Sequence, residues 1–102
     1  MSKQRPRTAR REEERAAKKL VRDKEKLAAL VPGGSRERPI EVSSTAVIEV
    51  RVESMPCPQC DGQFRIREHA SEGSGVRRVD VICRNCSAPR SLWFRLVSDE
   101  PN

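Results

Sequence analysis

The chain has 102 residues, of which 35% are apolar and 35% charged, with three aromatics, Phe64, Trp93 and Phe94. That is room for one domain, and too little apolar mass for a core to offset chain entropy alone, so a staple such as a metal or disulfides is expected. The formal net charge of +6 is unevenly placed: residues 1–31 hold eleven Lys/Arg against five Asp/Glu, and residues 32–102 hold ten of each. A basic arm in front of a neutral domain points to an anionic partner. The longest apolar run, Leu27-Ala28-Ala29-Leu30-Val31, is too short to span a bilayer. Met1 to Arg15 is charged and carries no apolar signal region, so a reducing, cytoplasmic location is expected.

Residues 1–7 are polar and basic and are expected to be unstructured. From Thr8 to about Leu30 the chain is rich in Ala, Glu, Lys, Arg and Leu and free of Gly and Pro, which predicts a helix. Thr8 suits the N-cap, Glu12, Glu13 and Glu14 suit the positive end of the dipole, and Pro32-Gly33-Gly34-Ser35 stops the helix. At 100° per residue, Ala16, Ala17, Leu20, Val21, Leu27, Ala28 and Val31 share one arc of roughly 140°, with Lys24 in its middle. Nearly opposite, Arg11, Arg15, Lys18, Lys19, Arg22 and Lys26 share an arc of roughly 100°, so the helix is amphipathic with a basic stripe.

Residues 32–44 read as a linker. Ile48, Val50 and Val52 alternate with charged residues over Thr45–Glu53, which predicts a strand. Further strands are expected at Gln63–Glu68, Val76–Ile82 and Leu92–Val97, with 70–75 as a flexible turn and 98–102 as a loose tail. Phe64, Ile66, Val79, Val81, Leu92, Phe94 and Leu96 are expected on one sheet face. The other face then shows Arg65, Arg67, Arg78, Trp93 and Arg95, a set that suits phosphate contacts and base stacking, or simply a solvated face.

Every cysteine lies in one of two knuckles, Cys57-Pro58-Gln59-Cys60 and Cys83-Arg84-Asn85-Cys86, separated by 22 residues. Each Cys-x-x-Cys turn can present two thiolates to one ion, and two turns joined by a hairpin complete a tetrahedral shell. Cys57, Cys60, Cys83 and Cys86 are therefore the candidate ligands of one zinc ion. The residue after each knuckle often has positive φ, for which Asp61-Gly62 is better suited than Ser87-Ala88.

On these residues, 55–97 resemble a zinc ribbon: Met55-Pro56-Cys57-Pro58-Gln59-Cys60-Asp61-Gly62, a hairpin, the second knuckle and a short closing strand. The resemblance implies an α+β chain, with a small antiparallel ribbon of three or four strands over 45–97 behind the helix and linker. It also implies a closed, structural zinc site with Cys57, Cys60, Cys83 and Cys86 as ligands. Zinc ribbons recur in transcription factors, RNA polymerase subunits, ribosomal proteins and protein adaptors. The acidic tip of eukaryotic transcript-cleavage factors is not matched, since only Glu72 stands there. Rubredoxins pair knuckles around iron, but this chain lacks their aromatic core and their second Cys-Pro-x-Cys-Gly.

His69 is the only histidine, and no catalytic triad or phosphate-cradling loop can be assembled around it. The expectation is a non-enzymatic zinc protein that binds nucleic acid or a nucleic-acid machine, with the basic stripe and the arginine face as candidate contacts. The alternatives are a protein–protein adaptor that docks or self-associates through the helix, and an iron electron carrier. A membrane partner is not expected, because the apolar arc is mostly Ala and small aliphatics.

Overall fold

A computed structural model describes residues 6–97, with side chains from Ala9 onward. The elements are α1 (Pro6–Leu30), β1 (Ile40–Val42), α2 (Thr45–Ser54), β2 (Phe64–Gly73), β3 (Val76–Cys83) and β4 (Pro89–Leu96). The fold is a small α+β arrangement in which the strands form one mixed sheet in the order β1-β4-β3-β2. The β2–β3–β4 meander is antiparallel, and β1 adds to β4 in parallel, with Ile40 opposite Phe94. The expected tail 98–102 and residues 1–5 lie outside the described residues.

The sheet buries one face. Phe64, Val79, Val81, Cys83, Leu92 and Phe94 line it, and Ile40, Val42, Ile48 and Val52 complete the core. Among the described residues no helix is long and apolar enough to cross a membrane.

Several expectations are corrected. Residues 45–53 are not a strand but most of helix α2. Ile48 and Val52, one helical turn apart, are buried, with Val47 and Met55 packed beside them, while Val50 is 65% exposed. In a strand Ile48, Val50 and Val52 would share a face. A run of β-branched residues accepts a helix here because the tertiary burial outweighs a propensity deficit of under about 0.7 kcal/mol per residue. The helix ends where Met55, preceding Pro56, turns extended.

The 32–44 segment is more than a linker, since β1 lies within it. Strand β2 runs on to Gly73 and leaves only Ser74-Gly75 as the turn, and register shifts near Arg67 and Glu72 bend it. Helix α1 already includes Pro6, so Thr8 is inside it rather than its N-cap. The helix stops where Gly34 passes so close that a Cβ would fall 1.9 Å from the Ala28 carbonyl oxygen. Arg38 Nη1 donates to the Leu30 carbonyl at 2.8 Å, placing a cation at the negative helix end.

Helix α1, of 25 residues, is about 38 Å long by its rise. The molecule measures 78 × 23 × 18 Å. Arg10 to Leu20 are all exposed, and among the described side chains of α1 only Ala28 is buried. The helix therefore projects from the sheet as a rod held at its C-terminal half.

These contacts predict unequal costs along α2. Ile48→Ala should remove about 2–5 kcal/mol of unfolding free energy in denaturant melts of the metal-loaded protein. Val50→Ala should change it by less than about 0.5 kcal/mol. Equal losses at the two positions would contradict the helix.

Candidate metal centre

The two knuckles have the same backbone. In the first, the Asp61 amide donates to the Cys57 carbonyl at 2.8 Å and the Cys57 amide donates to the Gly62 carbonyl at 2.9 Å. In the second, Ser87 donates to Cys83 and Cys83 to Ala88, both at 3.0 Å. Asp61 and Ser87 carry the turn at φ of 64° and 63°. Positive φ thus falls at the residue after each knuckle, in the poorly suited Ser87 as well as in Asp61. Serine takes on that strain because the second turn must close as the first does.

The four Sγ atoms lie within 4.8 Å of one another. Cys57 and Cys86 are 3.8 Å apart, and Cys60 and Cys83 3.4 Å. A tetrahedral ion with bonds of ~2.3 Å sets its sulfurs about 3.8 Å apart, whereas a disulfide needs about 2.05 Å. The spacing fits a shared metal ion. Amides point at the sulfurs as well: Gln59 N–H meets Cys57 Sγ, and the Asn85 and Cys86 amides meet Cys83 Sγ, each at 3.4 Å. Such donors stabilise thiolate charge.

The sulfurs titrate apart. The Asn85 side chain, the Gly62 amide and the Cys83 thiol lower Cys60 to about 6. The Ala88 amide favours the Cys86 thiolate, but desolvation and the neighbouring sulfurs of Cys60, Cys83 and Cys57 outweigh it and raise Cys86 to about 12. Four sulfurs this close cannot all be anionic unless a cation sits among them, which is what a metal ion supplies. Cys57 and Cys83 are buried, while Cys86 is exposed, so the centre sits at the surface.

The knuckles also hold α1. Gln59, between Cys57 and Cys60, accepts from Lys24 Nζ through its carbonyl at 3.0 Å and donates from Nε2 to the Val21 carbonyl at 3.1 Å. Arg90 of β4, whose side chain is 11% exposed, pairs with Glu25 at 2.8 Å. Opposite Val81, Arg90 belongs to the core-facing side of the sheet, as does Arg77 opposite Phe94. Sequence alternation did not single out either arginine.

The candidate phosphate contacts divide into engaged and open. On the sheet, Arg78 pairs with Glu72 and Asp80, and Arg95 with Glu41. Trp93 is half-buried, with the Arg36 guanidinium 5.9 Å from its ring centroid. Arg65 and Arg67 are exposed, Arg67 beside a register shift in β2. On α1, Arg11, Arg15, Lys18, Lys19, Arg22 and Lys26 are all exposed. Among the described residues, none of these six, nor Arg65 or Arg67, forms an ion pair with a carboxylate. His69 is exposed and stands outside the cysteine cluster.

No protein-family model, curated protein or solved structure matches this chain.

Gly62 gives the sharpest test of the centre. A Cβ there would fall 2.8 Å from both Cys83 Sγ and Asn85 Cβ. Gly62→Ala should therefore lower metal affinity in a chelator competition. Since bound thiolates must shed their protons, metal should also be released as pH falls. Affinity unchanged by the substitution would mean that the knuckles do not close on one ion.

Proposed function

We propose that this is a non-catalytic nucleic-acid-binding protein whose fold is held by one structural Zn²⁺ on Cys57, Cys60, Cys83 and Cys86, as in a zinc ribbon. Four thiolates close the tetrahedral shell and leave no position for water or substrate, so the ion's part is to fold the chain. Metal binding of ~10–16 kcal/mol would then be folding free energy.

One observation carries the nucleic-acid reading: the six cations of the α1 stripe face solvent, unpaired with carboxylates among the described residues. They span about 22 Å of helix, enough to follow several phosphates along a backbone. The sheet is the weaker candidate, because Arg78 and Arg95 already have acidic partners. A second reading, a protein adaptor, is favoured by the exposure of Leu20 (54%), Leu27 (65%) and Leu30 (58%) on the same helix.

Two measurements test this. Replacing Arg15, Lys18, Arg22 and Lys26 with Gln should weaken duplex binding in an anisotropy titration. The same change should flatten the log–log salt dependence by about 0.9 for each phosphate that is no longer neutralised. Unchanged affinity for DNA and RNA would remove the helix from nucleic-acid binding. Elemental analysis should give one zinc per chain. A stoichiometric, reversibly reducible iron would move the protein to electron transfer instead.

A further inference from the structure

The C-terminal half of α1 does not lie flush on the sheet. Between it and the first knuckle is a cleft of about 360 Å³, at the lower end of the ~300–1,000 Å³ typical of ligand sites. Leu27 of α1 and Val31 just beyond it form one wall, Met55 and Pro58 the knuckle wall, and Phe64 and Leu92 its floor. The lining holds two cations, Lys24 and Arg90, and no carboxylate. Lys24 has donors to spare, while Arg90 is already paired. The Lys24 ammonium donates to one neutral carbonyl, that of Gln59, out of three N–H bonds. Arg90 pairs with Glu25 through Nη2, and its Nε is buried without a partner.

The rim is open. Leu27 is 65% and Val31 51% exposed, and the apolar surface runs on along the helix to Leu20. An enclosed small-molecule pocket would bury such walls, so an open apolar strip beside a cleft fits a length of chain better.

We propose that this cleft docks a peptide segment of a partner protein, with an apolar side chain seated between Leu27 and the first knuckle and a neighbouring Asp or Glu carboxylate on Lys24. The assignment rests on the adaptor reading of α1 and not on the nucleic-acid reading. The basic stripe lies on the far side of the helix, so the two surfaces can be occupied together.

A random dodecapeptide phage library, panned on the metal-loaded full chain, tests it. Enriched sequences should place a Leu, Ile, Phe or Trp beside an Asp or Glu. A synthetic copy of the enriched peptide should bind at least about tenfold more weakly to Leu27→Asp, as expected for removal of a central apolar anchor. Lys24→Glu should turn the preference toward peptides carrying Lys or Arg. Leu27 is largely solvent-exposed, so Leu27→Asp should keep its fold and metal content, checked by amide spectra and elemental analysis. The Gln-substituted stripe should bind the peptide as well as the native chain does, which separates failure here from failure of the nucleic-acid reading. No enrichment beyond that on Leu27→Asp, or enriched peptides without the acid–apolar pairing, would overturn the proposal.

Discussion

Four sulfur atoms drawn within 4.8 Å of one another set the terms for the rest of this molecule. Their spacing suits a metal ion, because four thiolates at that distance repel too strongly to coexist without a cation among them. The knuckles that carry them sit at the joints of the meander. The first leads into β2, and the second links β3 to β4. Drawing the knuckles together therefore fixes the register of three strands at one end. The apolar core then needs only to fill the space behind, and it is modest: one sheet face, β1 and the buried side of α2.

The helix is attached differently. Apart from Ala28, the described side chains of α1 bury no large apolar surface. It is seated by polar contacts on Gln59, Arg90 and Arg38. Isolated contacts of this kind contribute about 0.5–1.5 kcal/mol each, so the seat is directional rather than strong. Its most informative member is Gln59, which lies inside the first knuckle. The turn that presents Cys57 and Cys60 thus also sets where the rod points. A change in that turn would be felt at α1 without passing through the core.

The cysteine cluster was legible in the sequence because Cys-x-x-Cys is a local geometry that takes only four consecutive residues. The β2–β3 hairpin and β4 were legible for a similar reason, since period-2 burial is written along each strand. Helix α2 was not. Val47, Ile48, Val52 and Met55 satisfy a helical face as well as Ile48, Val50 and Val52 satisfy a strand face, and only the packing against β1 and β2 decides between them. Strand β1 is three residues long and exists through its parallel partner β4, a pairing between segments far apart in sequence. Arg77 and Arg90 escaped notice because a charged residue inside a strand reads as outward-facing until the register is known.

The polar contacts at the helix seat also sort charge. Lys24 lies in the middle of the apolar arc of α1, and Glu25 near the edge of the basic stripe. Docking places Lys24 on the Gln59 carbonyl and Glu25 on Arg90. The acid that would otherwise soften the stripe is thereby turned toward the sheet, and the cation that would interrupt the apolar arc is brought to the wall of the cleft. The engaged arginines of the sheet, Arg78 and Arg95, are meanwhile held by Glu72, Asp80 and Glu41. What remains open to solvent on α1 is a cationic stripe and an apolar arc, with Glu12, Glu14 and Asp23 exposed between them and Glu13 within the apolar arc. A helix needed only to stabilise the sheet would turn its apolar side inward, and this one leaves Leu20 and Leu27 uncovered. The exposure of that arc is therefore better explained by what α1 presents than by what it packs against.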